Sequence, residues 1–329
     1  MAVTRDEVIW AYRMILGREP ENEDAINSNL LAVNLKALRE RLLKSEEFSR
    51  TSTPTTPADR LSGISQKPNL SEKKIVFVHI PKCAGTTITQ YITNNAPDWK
   101  VCPERFAGLS QWPAKHLASY NFFTGHFDYL SAQMVPGESK FIFSTFREPI
   151  SRLRSFYYFS RSHRPELPQH AKLALVQLAN THSITEFLKA PELHDSININ
   201  NSFARTFLDR RTVDGDRELL TESEKTNLLN TQPDLATDIA INNIKSLSAV
   251  ILMNDLDSFA PKLLELMGIQ ETVPLRHEQV LTDLTEKNAA LREVKKQEET
   301  DETKNLLEFH TKVDRVIYGE LASEYGLSG

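Results

Sequence analysis

Six consecutive residues, Lys82, Cys83, Ala84, Gly85, Thr86 and Thr87, bring a mobile cation, small side chains and two hydroxyls together directly after an apolar run. Small residues let backbone N–H groups approach an anionic oxygen closely, and the lysine adds a full positive charge. The combination suits capture of a phosphate or a similar oxyanion. Its order departs from the nucleotide-hydrolase loop GxxxxGK[ST], where the lysine comes late beside a magnesium-binding hydroxyl. Here the lysine comes first and one glycine follows, so an ordinary site for ATP with magnesium is not expected.

Three further groups have suitable types and places. Arg147 closes a second apolar run, and Ser155 lies about two helical turns into the segment that Glu148 and Pro149 open. An arginine fork paired with a hydroxyl suits a dianionic phosphate. His126 follows Gly125 within the aromatic stretch NFFTGHFDYL. A histidine there fits a hydrogen-bonded structural role or a general base, with Asp128 as the carboxylate alternative for the base.

Strands and helices must hold these groups. The β-branched run from Ile75, stopped by Pro81, is too short for a helix and reads as a buried strand feeding a tight loop. A helix bearing Ile88, Tyr91 and Ile92 should begin near Thr87 and run to about Asn94. Lys140 to Phe146 and Ala249 to Met253 read as further core strands, the latter followed by an amphipathic helix. Two helices are expected within residues 165–195 and a charged, glycine-free helix over 286–304. Residues 101–119 are turn-rich and suggest no function. The expected fold class is α/β, a mostly parallel sheet flanked by helices. A small N-terminal all-α module (residues 1–50) and a Thr/Ser/Pro-rich linker (51–70) would precede the main domain, 71–329.

HIPKCAGTT, and STFREPISRLRSFYYF after it, resemble the two signatures of the sulfotransferases, especially the carbohydrate-sulfating branch. The resemblance runs in order over about residues 71–329. It implies a P-loop-like fold and the donor 3′-phosphoadenylyl sulfate (PAPS), with 3′,5′-adenosine diphosphate as product and no metal. Lys82 to Thr87 would hold the 5′-phosphosulfate, Lys82 would stabilise the leaving oxygen, and Arg147 with Ser155 would hold the 3′-phosphate. GHFDYL resembles the place of the family's base histidine, which makes His126 the expected base. INNSFARTFLD resembles an NNxQxR pattern with Asn200, Asn201 and Arg205 at matching places and Phe203 where glutamine is usual. Those residues, with Arg161 from the basic run Arg152, Arg154, Arg161, His163 and Arg164, are expected at the acceptor. VPLRHEQVL would lie over the donor nucleotide through Arg276 or His277. AYRMILGREPENED with KSEEF resembles a helical module appended to bacterial glycosyltransferases.

Composition narrows the classes. A chain of 329 residues with 40% hydrophobic and 25% charged residues can bury a full enzyme core. A net charge of −5 disfavours broad capture of nucleic acid. Cys83 and Cys102 are the only cysteines and lack metal-ligand spacing, which fits a reducing compartment, the cytosol by default. No signal peptide or membrane span is visible, whereas Golgi members of the branch carry an anchoring helix, so a soluble bacterial enzyme is expected. The expected partner is a glycan hydroxyl, with a tyrosine or lipid acceptor as variants. A P-loop small-molecule kinase and a non-catalytic glycan-binding relative are the competing classes. Oligomeric state is not legible.

Overall fold

A computed structural model describes residues 3–12, 20, 22–32, 34, 37–38, 41–42, 45, 73–106, 109, 112–168, 170–211, 217–276 and 289–326. The expected linker, His277 and most of KSEEF lie outside them. The chain divides into two compact units, Met1–Lys67 and Pro68–Gly329. In the first, Thr4 and Glu7 form a capping box on helix α1 (Arg5–Ala11), and the side chain of Asn22 caps α2 (Glu23–Leu30). Val8, Tyr12, Ile26, Leu38 and Leu42 share a small apolar core.

The second unit is built on four parallel strands: β1 (Lys74–Val78), β2 (Phe122–Gly125), β3 (Lys140–Phe146) and β4 (Ala249–Leu252), in the order β2-β1-β3-β4. The chain leaves β1 for β2 on one side and then crosses to β3 on the other. That reversal opens a crevice at the carboxyl ends of β1 and β3, where open α/β sheets bind ligands. Successive β1 residues face opposite layers, as a period of two requires. Ile75 and Phe77 pack with α3 (Gly85–Asn95) and α7 (Leu256–Met267). Val76 and Val78 pack with α5 (Ser202–Phe207), α6 (Pro233–Lys245) and α9 (Lys312–Tyr325). Each fully buried aliphatic or aromatic side chain contributes about 1.5–3 kcal/mol to this core. Phe77 and Phe143, paired in register across β1 and β3, also stack with ring centroids 4.6 Å apart.

Two boundaries differ from expectation. Met253 opens a 3-10 turn, Met253–Asp255, instead of ending β4. Within the charged stretch expected as a helix over 286–304, residues 289–300 are not helical, and α8 (Asp301–His310) begins at its end, capped by the side chain of Thr300. Before it, the chain runs along α4 (Pro149–Ser162): Arg292 N–H donates to the Ser162 carbonyl at 2.7 Å and Gln297 N–H to the Tyr158 hydroxyl at 2.8 Å. Glu299 pairs with Arg154. These tertiary partners outweigh the segment's weak helical preference. Among the described residues no helix is long and apolar enough to cross a membrane.

Candidate active site

The loop after β1 has an unusual backbone. Lys82 (φ 71°) and Ala84 (φ 61°) both adopt the left-handed region without being glycine, at a cost on the order of 1–3 kcal/mol each. Neighbouring β3 maintains that conformation: the Thr145 hydroxyl donates to the Cys83 carbonyl at 2.5 Å and the Ser144 hydroxyl to the Val78 carbonyl at 2.7 Å. Left-handed residues set among right-handed ones make the backbone pattern of an anion-binding nest. Gly85, Thr86 and Thr87 then form the first turn of α3, whose N–H groups have no acceptor within the helix. A Cβ on Gly85 would stand 1.8 Å from His79 Nε2, so the histidine ring excludes any other residue there. Cys83 is fully buried and its thiol is pushed up to about 12 by burial, which makes it a packing group and not a nucleophile.

The Lys82 ammonium lies 3.7 Å from the centroid of the Phe159 ring on α4. Burial, and secondarily the Arg147 charge, lower its pKa to about 8. Arg147, directly after β3, reaches back so that Nη1 is 3.5 Å from the Lys82 carbonyl. Ser155 precedes Phe159 by one helical turn and so shares the α4 face that meets Lys82. Its half-buried hydroxyl has no partner among the described residues. Lys82 and Arg147 thus meet although they follow different strands, and Ser155 stands one turn before Phe159, the ring that faces Lys82.

His126 follows β2. Its Nδ1 lies 2.7 Å from the backbone carbonyl of His79. A carbonyl only accepts, so Nδ1 carries the hydrogen and the neutral ring keeps its lone pair on Nε2. Partial desolvation, and then the Arg105 charge, hold the His126 pKa below the usual histidine value against the opposing effect of the His79 carbonyl. The ring nevertheless remains open to solvent. His79 is held well below its usual value by burial, then by His126, Arg105 and Lys82, and its Nδ1 is buried without a partner among the described residues. Asp128, the alternative base, accepts from the Ser131 N–H at 2.8 Å and caps the short helix Tyr129–Gln133.

Beside His126 lies a segment about twenty residues earlier in the chain. The backbone carbonyl of Arg105 accepts from the His126 N–H at 2.7 Å, and a Cβ on Gly125 would stand 2.6 Å from that oxygen. Glycine is therefore needed for Arg105 and Phe106 to sit against the histidine. On the flank of α3, a cavity of about 320 Å³ is lined by Thr87, Gln90, Tyr91, Asn94, Val273, Pro274 and Arg276. Buried Asn95 fixes its far wall, accepting from the N–H groups of Thr272 (2.6 Å) and Val273 (2.8 Å) and donating to the Val273 carbonyl (2.9 Å).

Of the residues expected at the acceptor, Arg161, Arg205, Asn201 and Asn200 each have partners inside the protein. Arg161 Nη1 donates to the carbonyls of Ala179 (2.6 Å) and His182 (2.8 Å) and to the Tyr157 hydroxyl (3.0 Å). Arg205 is fully buried and bonds Asn200, His194, Glu222 and Thr226. Asn201, buried and left-handed at φ 46°, accepts from the Val313 N–H at 2.9 Å and so anchors the start of α9; its neighbour Asn200 contributes a carbonyl to Arg205. Each has partners remote in sequence, which local pattern could not disclose.

A model of the sulfotransferase family matches residues 70–325, a span that includes Lys82, His126, Arg147 and Ser155. No curated protein matches the chain.

Proposed function

The chain belongs to the sulfotransferase family, and on that footing we propose that it transfers a sulfuryl group from PAPS to a glycan hydroxyl. Lys82 and the N–H groups at the start of α3 receive the 5′-phosphosulfate, while Arg147 and Ser155 receive the 3′-phosphate. The cavity along α3, with Arg276 at its edge, suits the nucleoside. His126 Nε2 takes the acceptor proton as the acceptor oxygen bonds to sulfur. The bridging S–O bond breaks in line, and its electron pair leaves on the 5′-phosphate oxygen of 3′,5′-adenosine diphosphate, beside Lys82. A positioned base contributes about 10²–10⁴-fold and an aimed cation or N–H donor about 10²–10³-fold.

The observation that carries this reading is the bond from His126 Nδ1 to the His79 carbonyl. It ties a base with a free Nε2 to the strand that feeds the phosphate loop, joining proton acceptance and anion binding through one residue, His79. The glycan acceptor rests on the resemblance to the carbohydrate-sulfating branch, and two buried thiols fit a reducing compartment such as the cytosol. Thermal denaturation tests the donor: 3′,5′-adenosine diphosphate should raise the melting temperature well above the effect of AMP or of ATP with magnesium, since selective binding stabilises by mass action. Equal stabilisation by ATP with magnesium would favour phosphoryl transfer instead.

A further inference from the structure

We propose that the His79 imidazole is a second catalytic group: its Nε2–H donates to a sulfuryl oxygen of the bound donor and holds that group in line between the phosphate loop and His126. The proposal rests on the reading of Lys82 to Thr87 as the phosphosulfate loop and of His126 as the base. There His79 serves only through its backbone carbonyl; here its side chain meets the substrate.

The ring is held from three sides. It stacks on Phe77, with centroids 5.3 Å apart and planes at 16°, extending the aromatic pair that Phe77 forms with Phe143. The His126 ring lies on another side, with 4.4 Å between centroids. On the third, the edge bearing Nε2 closes on the start of α3: a Cβ on Gly85 would stand 1.8 Å from Nε2, 2.0 Å from Cδ2 and 2.1 Å from Cε1. The backbone is fixed as well, since His79 N–H donates to the Gly125 carbonyl at 3.0 Å and the His79 carbonyl accepts from His126 Nδ1 at 2.7 Å. Together these contacts aim the imidazole at the loop.

The two ring nitrogens differ. Nδ1 is buried and has no hydrogen-bond partner among the described residues. A buried N–H without an acceptor is a costlier orphan than a lone pair, so the neutral ring carries its hydrogen on Nε2, the nitrogen at the loop. Burial first, and then the nearby His126, Arg105 and Lys82, keep the ring neutral.

Packing alone does not require a histidine here. A phenyl ring would stack on Phe77 and cover Gly85 without burying an unpaired nitrogen. An N–H held over the loop that receives the anion suits charge developing on sulfuryl oxygens. Lys82 and the α3 N–H groups meet the leaving oxygen, His126 meets the acceptor oxygen, and His79, between them, meets the group in transit.

The test uses the full chain, with labelled sulfate transfer from PAPS to oligosaccharides of glucose, N-acetylglucosamine and glucuronate. Calorimetry with 3′,5′-adenosine diphosphate, which lacks the sulfuryl group, runs beside it. His79→Phe keeps a ring and removes the donor, whereas His79→Gln keeps an N–H near the Nε2 place. His79→Phe should lower kcat about 10²-fold or more, and His79→Gln should regain at least about tenfold of that loss. Both should bind 3′,5′-adenosine diphosphate within about threefold of wild type. A structural role predicts the reverse order, because phenylalanine fills the space and glutamine does not. Near-normal turnover in His79→Phe, or equal losses in the two variants, would overturn the proposal. If His79→Phe does not fold, NMR of wild type labelled at the histidine nitrogens decides. It should show the His79 hydrogen on Nε2, with a resonance that moves on adding PAPS but not 3′,5′-adenosine diphosphate; hydrogen on Nδ1, or the same response to both, would overturn the proposal. Transfer by wild type alongside an active His79→Phe sinks this inference alone, whereas absence of transfer by wild type to every acceptor sinks the catalytic reading beneath it.

Discussion

The ammonium of Lys82 rests 3.7 Å from the centre of the Phe159 ring, one helical turn beyond Ser155 on α4. The aromatic face keeps the loop's cation within the crevice, where cation–π attraction of about 0.5–2 kcal/mol offsets part of its desolvation. Burial leaves the amine with a pKa of about 8, low enough for its protonation to matter in the working range of an enzyme.

Donor affinity should therefore depend on pH with a defined sign. Below about pH 8 Lys82 is charged, as the proposed contact with the donor phosphates requires; above it the free protein must first take up a proton. Titration calorimetry with 3′,5′-adenosine diphosphate should show affinity falling above that pH, by at most about tenfold per unit. Lys82→Arg, charged throughout, should flatten the profile. A flat wild-type profile from pH 7 to 9.5 would remove Lys82 from the donor site.

Discrimination at the 3′-phosphate is a separate matter. Arg147→Ala should weaken 3′,5′-adenosine diphosphate by roughly 2–4 kcal/mol and Ser155→Ala by about 1 kcal/mol. Binding of 5′-AMP, which lacks the 3′-phosphate, should change little in either variant. Equal weakening of both nucleotides would make Arg147 a support for the loop through the Lys82 carbonyl, not a ligand.

Residues 68–329 contain the sheet and every proposed donor group, and the contacts within Met1–Lys67 form a unit of their own. We expect the fragment 68–329 to be soluble, to unfold cooperatively and to bind 3′,5′-adenosine diphosphate within about threefold of the full chain. Circular dichroism and calorimetry check this; an aggregated fragment would show that the first unit completes the second.

Local grammar explains which parts of the site were legible. The apolar run ending at Pro81, the small residues after Lys82 and the FREP helix start each encode strand, loop and cap within a few positions, so the crevice and its cations could be read directly. Asn201 and Arg205 could not, because Val313, Glu222 and Thr226, which occupy them, arrive from helices more than fifteen residues away. Arg161 presented the same difficulty: a basic helix looks solvated until its neighbours supply carbonyls. Arg105 was hidden for the opposite reason. Its segment has no period, and only the close approach to Gly125 gives it a place. In hindsight, the glycine before His126 was the available signal, since a glycine at a strand end marks a neighbouring backbone at short range.

The central claim is that His126 Nε2 accepts the acceptor proton during sulfuryl transfer. The most direct measurement is transfer of labelled sulfate from PAPS to the preferred acceptor by wild type and His126→Ala, with donor affinity determined on the same samples. The account predicts turnover lower by about 10²-fold or more in the variant with donor affinity nearly unchanged. A folded His126→Ala protein that binds the donor and keeps near-normal turnover would contradict it.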